Sequence, residues 1–401
     1  MRTLKTTLLA TAAVALLATP ALAAEDITNS QIQLGDVWSS LNVTVSDGSD
    51  QMVETSVAIG NHVAASATNQ DLNLTTTQDL QGSVDADVLI NGSSVGGAAA
   101  ITASATGNTA TAELCCETAT VTNTQTTSAG ESIESSGTVV FNQLVGPTAV
   151  TGIATANTLG VTATNGVSNT TSTQTNNAVT EAYLSTSVVN GNDTTVSTTA
   201  VSNNVTLSGT ASTTNASLVQ NNLGYTHAQN DVVGQTADDL TSVATASGNN
   251  INAQNSTGTA WVDAAQANAG TVQAQSYVAL SGNWSGTATS SAYGVGNSML
   301  LSEIGNSAGT NNTQSNYGSI SADATFSGGA GSAAIVSSAA FGNAVTGTIC
   351  ANCGNYGLTA NNTQYNAGGV VSSTTTTYTT GGVVTGSASA VGNSATFRAG
   401  N

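Results

Sequence analysis

Residues 248–268 read GNNINAQNSTGTAWVDAAQAN, and they contain two marks that recur along this chain. The first mark is the Gly-Asn pair formed by Gly248 and Asn249. The second mark is Gln266, which lies 17 residues after Asn249 and is followed two places later by Asn268. Marks that keep a constant distance from one another indicate an internal repeat, and a repeat constrains the fold more than any other sequence feature.

Both marks recur through the chain at nearly constant spacing. The asparagines of the first mark are 46 to 50 residues apart, and six of the eight follow a glycine. They are Asn61, Asn108, Asn157, Asn203, Asn249, Asn297, Asn343 and Asn393. The glutamines of the second mark are Gln31, Gln78, Gln125, Gln174, Gln220, Gln266, Gln314 and Gln364. Six of them follow an asparagine of the first mark by 17 residues, while an insertion at residues 350–353 displaces the last one.

The length of the repeat and the pattern inside it predict the fold. A repeat of this size indicates a solenoid, a propeller or an array. Val84, Ala86 and Val88 alternate with Asp85 and Asp87, which is typical of a strand with one apolar face. Propeller blades usually carry aromatic signatures, whereas only 4% of this chain is aromatic. We therefore predict an all-β fold, a repetitive parallel β-solenoid with about eight repeats of roughly 47 residues. The pattern is compatible with one wide coil or two stacked coils per repeat.

Stacked coils would bring the recurring amides into line. Equivalent residues on neighbouring parallel strands are about 4.8 Å apart, and Asn and Gln side chains at that spacing can hydrogen-bond as ladders. We predict that both marks form such structural ladders. The alternative is that they only occupy turns, which Gly-Asn also suits. Further turns are predicted at Asn91-Gly92, Asn190-Gly191, Gly282-Asn283 and Gly381-Gly382.

The N-terminal residues have the features of a secretory signal peptide. Arg2 and Lys5 precede an apolar run from Leu8 to Leu17, and residues 21–23 read Ala-Leu-Ala, a small-residue cleavage motif. The apolar run is shorter than the roughly 20 residues that cross a bilayer. We expect residues 1–23 to be a signal peptide and residues 24–401 to form a single β-solenoid repeat domain.

Charge limits the classes of partner. The chain has 22 acidic residues and a formal net charge of −19, and after residue 23 its only basic side chain is Arg398. Proteins that bind nucleic acid neutralise phosphates with Lys and Arg, so a nucleic-acid partner is not expected. Charged residues make up 6% of the chain, against about 25% in average proteins, and this low value also argues against charge-driven disorder.

The sequence contains no arrangement of residues that is typical of catalysis, a cofactor or a metal site. His62 and His227 do not recur with the repeat, and we expect both to be surface polar residues. The segment Asp47-Gly48-Ser49-Asp50 resembles a turn more than a calcium loop, which needs more ligands. Exposed aromatic side chains can stack on sugar rings. The candidates for such a contact are Trp38, Trp261, Trp284, Tyr277, Tyr317 and Tyr365. The alternative is that these side chains pack locally or cover the edges of the coils.

Four cysteines remain: Cys115 and Cys116 are adjacent, and Cys350 and Cys353 form a C-x-x-C pair. In an exported protein such cysteines are expected to form disulfides rather than to bind metal. The two pairs belong to the second and seventh repeats, and five steps of about 4.8 Å exceed the reach of a disulfide. Local bonds and bonds between chains both remain compatible with the sequence.

The signal peptide, the repeats and the scarcity of basic residues resemble secreted curlin-type and holdfast-anchor proteins. Gln314-Ser315-Asn316 and Asn361-Asn362-Thr363-Gln364 are similar to the Gln and Asn marks of curlin coils. The longer period and the cysteines depart from curlin, so the chain is more similar to the holdfast attachment protein D family. This resemblance implies an extracellular protein on the cell surface, attached to the outer membrane. It also implies an adhesive polysaccharide, a curlin-like anchor subunit and a curlin-type outer-membrane secretion pore as partners, and it transfers no catalytic or binding residue.

We therefore predict a structural protein, not an enzyme, that anchors an adhesive polysaccharide (a holdfast) to the cell envelope. The main alternative is a self-assembling, curlin-like amyloid fibre subunit of a biofilm matrix, in which self-association is the function. An ice-binding solenoid would need threonines at one fixed phase of every coil, which the repeats lack. A polysaccharide lyase is disfavoured because the acidic residues are scattered.

Overall fold

In a computed structural model, residues 25–45, 51–304, 307–350 and 357–400 are described, and all their regular elements are β-strands. The predicted signal peptide and the Asp47–Asp50 segment lie outside the described residues. The strands are β1 (Glu25–Gln33), β2 (Val37–Val45), β3 (Met52–Thr68), β4 (Leu72–Leu80), β5 (Val84–Val95), β6 (Ala99–Cys115), β7 (Thr118–Thr127), β8 (Ser132–Leu144), β9 (Thr148–Thr164), β10 (Val167–Asn176), β11 (Val179–Gly191), β12 (Thr194–Thr210), β13 (Thr213–Asn222), β14 (Thr226–Thr236), β15 (Leu240–Ser256), β16 (Thr259–Asn268), β17 (Val272–Ile304), β18 (Ala308–Asn316), β19 (Ile320–Cys350), β20 (Leu358–Asn366) and β21 (Val370–Gly400). Within these ranges, no helical segment has the length and apolarity that a bilayer crossing requires.

Each repeat is one coil of a parallel solenoid. Gln31 pairs with Gln78 in the next coil, and Asn61 pairs with Asn108. The same in-register parallel pairing continues through the last described coil, where Gln314 pairs with Gln364. The prediction of an all-β parallel solenoid with about eight repeats is confirmed. The propeller alternative is wrong, because strands pair with their counterparts in neighbouring repeats and not within separate blades.

Every coil passes through three faces. The first face is an eight-stranded sheet with the order β1-β4-β7-β10-β13-β16-β18-β20. The second face begins with β2 and continues through β5, β8, β11 and β14, and the third face contains β3, β6, β9, β12 and β15. In the last three coils, β17, β19 and β21 run through the corner between these two faces without a break. The second and third faces therefore join into one sheet.

The interior is divided into two apolar clusters. One cluster fills the space between the second face and the first half of the third face, with Val84, Ala103 and Phe326 among its members. The other lies between the first face and the second half of the third face, and includes Leu72 and Leu159. Alternation along β5 follows the prediction: Val84, Ala86 and Val88 are buried, and the acids between them face outward. The amides of the two marks lie between the two clusters.

The Gly-Asn pair lies in the middle of the third-face strands and not in a turn. Gly107 and Asn108 are consecutive buried residues of β6, so the inward-outward alternation changes phase at this point. A Cβ added at Gly107 would lie 2.6 Å from the carbonyl oxygen of Ala156. A small residue is therefore favoured before the asparagine. Ala156 and Ser202, which are also small, occupy this position in their own coils and are buried.

The additional turns predicted from Gly and Asn pairs are also wrong in position. Asn91-Gly92 lies within β5, Asn190-Gly191 ends β11, and the two later pairs lie inside β17 and β21. At the third of these pairs the register between β17 and β19 shifts. The last three pairs lie at the corner between the second and third faces, where the chain keeps its parallel pairing with neighbouring coils, whereas Asn91-Gly92 lies before that corner.

True left-handed turns occur at the corner where the third face ends and the next coil begins. One residue there has a positive φ in five successive coils. These residues are Asn69 (φ 56°), Cys116 (81°), Asn165 (53°), Ala211 (49°) and Thr257 (61°). Asn tolerates this conformation, whereas β-branched residues rarely adopt it. The corner is therefore most strained at Thr257.

Candidate functional site

The asparagines of the first mark form a continuous ladder through the interior. Asn157 Nδ2 donates to Asn203 Oδ1 at 2.9 Å, and Asn203 Nδ2 donates to Asn249 Oδ1 at 2.8 Å. The same bond is made at each of the seven steps from the first coil to the last. In the seven asparagines from Asn61 to Asn343, the second N–H donates across the interior to a first-face carbonyl, as from Asn203 to Asn221. Asn203 is fully buried.

The glutamines form a second ladder of opposite polarity. Gln220 Nε2 donates to Gln174 Oε1 at 2.9 Å, toward the preceding coil, and this direction is the same at all seven steps. The other N–H of Gln220 donates to the Asn250 carbonyl on the third face. A carbonyl oxygen accepts only from a donor, so the NH2 group of Gln220, and not its oxygen, must point toward Asn250. The backbone of the third face therefore determines the orientation of the Gln220 amide. The two ladders thus cross-link the first and third faces from both sides.

A third ladder lies at the corner between the first and second faces. It uses the asparagine two places after the glutamine, and Asn222 donates to Asn268 at 2.8 Å. Its members are Asn176, Asn222, Asn268, Asn316 and Asn366. The earlier coils have Leu80 and Thr127 at this position, and the Thr127 hydroxyl donates to Asn176 Oδ1. This ladder was visible in the sequence only as a spacing, since its corner position depends on the fold.

An acidic group lies on the outer side of the second face. Asp85 pairs with Glu134 in the next coil, and Glu134 pairs with Glu181. Burial raises the pKa of Glu134, and the nearby Glu181 and Asp85 raise it further. Burial likewise raises the pKa of Asp85, with a second contribution from Asp87. Like charges at the spacing of neighbouring strands destabilise a sheet, so this row is a source of pH-dependent stability. The sequence contains a signal for this row, since Asp85 and Glu181 each lie seven residues after the recurring glutamine of their repeat. The acids become neighbours only when the coils stack.

His227 continues that row and was predicted incorrectly. It is only 7% exposed, whereas the sequence suggested a surface residue. Its Nδ1 lies 2.9 Å from Glu181 Oε1, its Nε2 lies 3.1 Å from Gln275 Oε1, and its ring stacks on Tyr225. Neighbours in the coils above and below therefore cover the ring. His62 is exposed, as expected.

Metal-binding and aromatic candidates can also be placed. Across the ranges given above, no group of three His, Cys, Asp or Glu side chains could hold a metal ion. Trp284 is 3% exposed and packs edge-on against Phe326, so it is part of the core and is not accessible to a sugar. The other aromatic candidates are exposed, and Tyr317 and Tyr365 form a pair in successive coils with ring centroids 5.7 Å apart.

The structure joins the adjacent residues Cys115 and Cys116 by a disulfide at the corner that follows β6. Cys350 ends β19, but its side chain and all of Cys353 lie outside the described residues.

Comparison with known protein families gives a match for this chain. The family model for holdfast attachment protein D matches residues 45–319, which is more than half of the chain and extends from β3 to β18. The chain belongs to this family. Membership in the holdfast attachment protein D family indicates a structural role in holdfast adhesion and a location at the cell surface. Neither the curated proteins nor the solved structures contain a match.

Proposed function

We propose that this chain is a rigid, extracellular scaffold that anchors an adhesive polysaccharide to the outer membrane. The observation that carries the proposal is the unbroken pair of amide ladders, which connects all eight coils by side-chain hydrogen bonds in addition to the backbone pairing. Family membership supports the attachment role. At about 4.8 Å per coil, the stack is roughly 35–40 Å long.

Such a ladder suits a protein that transmits force between two attachments. Each coil bonds to its neighbours through many parallel hydrogen bonds, which must break together if the coils are pulled apart along the axis. The buried amides add bonds in a low-dielectric interior, where a hydrogen bond is electrostatically stronger than in water. A curlin-like anchor subunit and a curlin-type outer-membrane secretion pore are the partners that we propose for export and attachment.

For sugar contact we propose the aromatic pair Tyr317 and Tyr365. Both rings are more than half exposed, and they lie beside each other in successive coils. Tyrosine offers an apolar ring face and a hydroxyl group that can hydrogen-bond, the two features that a sugar ring contacts. Tyr378 is exposed to a similar extent without an aromatic partner in the described residues, and it serves as a control.

The anchoring proposal is tested by deleting the gene and locating the adhesive with a labelled lectin. Release of intact adhesive into the medium supports an anchor, whereas unchanged adhesion on the cell contradicts it. Complementation with Tyr317→Ser/Tyr365→Ser should release more adhesive than complementation with Tyr378→Ser, at equal surface levels of the protein. Equal retention by the two variants would reject the aromatic pair but leave the anchoring role intact.

The alternative is a curlin-like amyloid fibre subunit. The in-register parallel strands and amide ladders favour it, because amyloid uses the same arrangement. In the deletion strain, the fibre alternative predicts loss of surface fibres rather than release of adhesive. The two outcomes are distinguished by electron microscopy of the same cells that are stained with the lectin.

A further inference from the structure

Within the described residues, no further coil covers the apolar core at either end of the solenoid. Every partly buried apolar residue that packs against the two clusters lies in the first or the last coil. These residues are Val37, Leu41, Val43, Val45, Val370 and Val384 for one cluster, and Ile27, Val63 and Leu358 for the other. Solenoids that remain monomeric usually have polar capping repeats. Here the described end coils keep the inward apolar pattern of the interior coils.

The outer backbone edges of the first and last coils also pair with no other strand among the described residues. In the described part of the chain, β1, β2 and β3 pair only with the coil that follows, and β20 and β21 pair only with the coil that precedes. Such edges are templates for pairing with another strand. The unpaired edge of the first coil and that of the last coil face in opposite directions along the solenoid axis.

The amide ladders give the two ends complementary hydrogen-bonding groups. Among the described residues, Asn61 Oδ1 receives no donor from a preceding coil, and Asn393 Nδ2 donates to no acceptor in a further coil. In the described part of the chain, Gln31 Nε2 bonds only to His62 O, and Gln364 Oε1 has no donor of the kind that every interior glutamine has. The first coil thus offers an acceptor at its asparagine and a donor at its glutamine. The last coil offers the matching donor and acceptor.

The side chains at the two ends also match in register. Gln364 in the last coil occupies the same repeat position as Gln31 in the first coil, and Asn362 occupies the same position as Asn29. On the second face, the repeat position of Val370 is that of Val37, and Ser372 corresponds to Ser39. Four inward positions of the last coil therefore have the same residue type as the first coil.

We infer that the last coil of one molecule docks onto the first coil of a second copy, head to tail, and continues the solenoid across the junction. Asn393 donates to Asn61 of the second copy, and Gln31 of that copy donates to Gln364. A head-to-tail contact of this kind repeats along the axis and produces a filament unless its rotation closes a ring. The inference refines the self-association considered under the proposed function, and it holds or fails independently of polysaccharide anchoring.

Crosslinking tests the junction in the purified protein. Thr28 and Asn361 occupy the same exposed outer row of the first and last coils. In one molecule they are seven coil spacings apart, about 34 Å, but across the junction they are about 4.8 Å apart, within disulfide reach. We expect oxidised Thr28→Cys/Asn361→Cys to form dimers, trimers and longer chains that reductant dissolves.

The matched control is Thr28→Cys/Ser217→Cys. Ser217 lies in the same outer row but in the fifth coil, about 19 Å from the junction partner. The wild-type chain, with its four cysteines, gives the background. Samples need at least about 0.15 M salt to screen repulsion between acidic molecules. Equal crosslinking in both double variants, or none in either, would overturn the inference.

Sedimentation of a variant without new cysteines gives an independent reading. Gln31→Glu keeps the acceptor used by Gln78 but removes both N–H groups, the one that bonds to His62 O and the one proposed for Gln364 of the partner. We expect association to weaken about tenfold or more relative to the wild-type chain. If the wild-type chain is monomeric at all concentrations, or if Gln31→Glu associates as tightly as it does, the head-to-tail junction is wrong.

Discussion

Replacing a single rung of the asparagine ladder should destabilise the solenoid far more than replacing the residue beside it. Asn203 is fully buried, and its amide accepts from Asn157 and donates to Asn249 and to the carbonyl of Asn221. Its neighbour Asn204 points outward and accepts one bond from the side chain of Asn250. The two asparagines have the same chemistry, and they differ in burial and in the number of partners.

The magnitude follows from the groups that lose a partner. Asn203→Ala leaves one donor of Asn157, the Oδ1 of Asn249 and the Asn221 carbonyl without their bonds. An unsatisfied buried group costs about 1–3 kcal/mol, and some of these groups retain a second bond. We therefore expect a loss of about 4 kcal/mol. Asn204→Ala should cost about 1 kcal/mol or less, because water replaces the lost contact.

Guanidinium denaturation, followed by circular dichroism, measures the difference between the two variants. A solenoid behaves as a row of coupled repeats, so Asn203→Ala should either lower the midpoint or split the transition. Hydrogen exchange then shows whether protection is lost first in the coils around the substitution. Equal midpoints for Asn203→Ala and Asn204→Ala would refute the conclusion that the buried ladder stabilises the stack.

Three further predictions concern strain, charge and packing. Thr257→Gly should raise the free energy of unfolding by about 1 kcal/mol, because glycine accepts the φ of 61° without a Cβ clash. Asn165→Gly should change the free energy of unfolding much less. Thermal unfolding of the two variants measures the difference. Burial raises the pKa of Glu134 above its usual range, so the charged form destabilises the fold. Stability should therefore increase as the pH falls from neutral toward the ordinary glutamate pKa of about 4.3. Glu134→Gln should raise the unfolding midpoint at pH 7 and reduce this pH dependence; a midpoint below that of the wild-type chain at pH 7 would contradict the assignment. Trp284→Ala should cost about 3–5 kcal/mol, with loss of near-ultraviolet dichroism, and a surface-like cost under about 0.5 kcal/mol would show that the indole is not a core residue.

Several structural features followed directly from the sequence because stacking repeats the same environment at a fixed interval. Gln78 and Gln125 occupy the same position in successive coils and therefore have the same surroundings. The same surroundings favour the same residue type in every coil. This is why the spacing predicted parallel, in-register coils. The alternation around Val84 identified the inward side of the second face for the same reason.

The turn preferences of individual residues were less informative, because hydrogen bonding between coils outweighs them. Gly-Asn is a common turn pair, yet Gly107 and Asn108 lie in mid-strand, where the amide finds partners in the next coil and on the opposite face. The corner residue Thr257 has a conformation that its side chain disfavours. Pairing with both neighbouring coils provides hydrogen bonds that no local turn preference can match.

The sequence by itself determined the period, the parallel stacking and the identity of the residues that stack, since these depend only on recurrence along the chain. The tertiary structure alone decided that one repeat is one coil, that the two central ladders run in opposite directions and that His227 and Trp284 are covered. These features depend on contacts between residues in different coils and on opposite faces. An amide side chain, for example, takes its orientation from a backbone carbonyl across the interior, and the linear sequence does not contain that carbonyl's position.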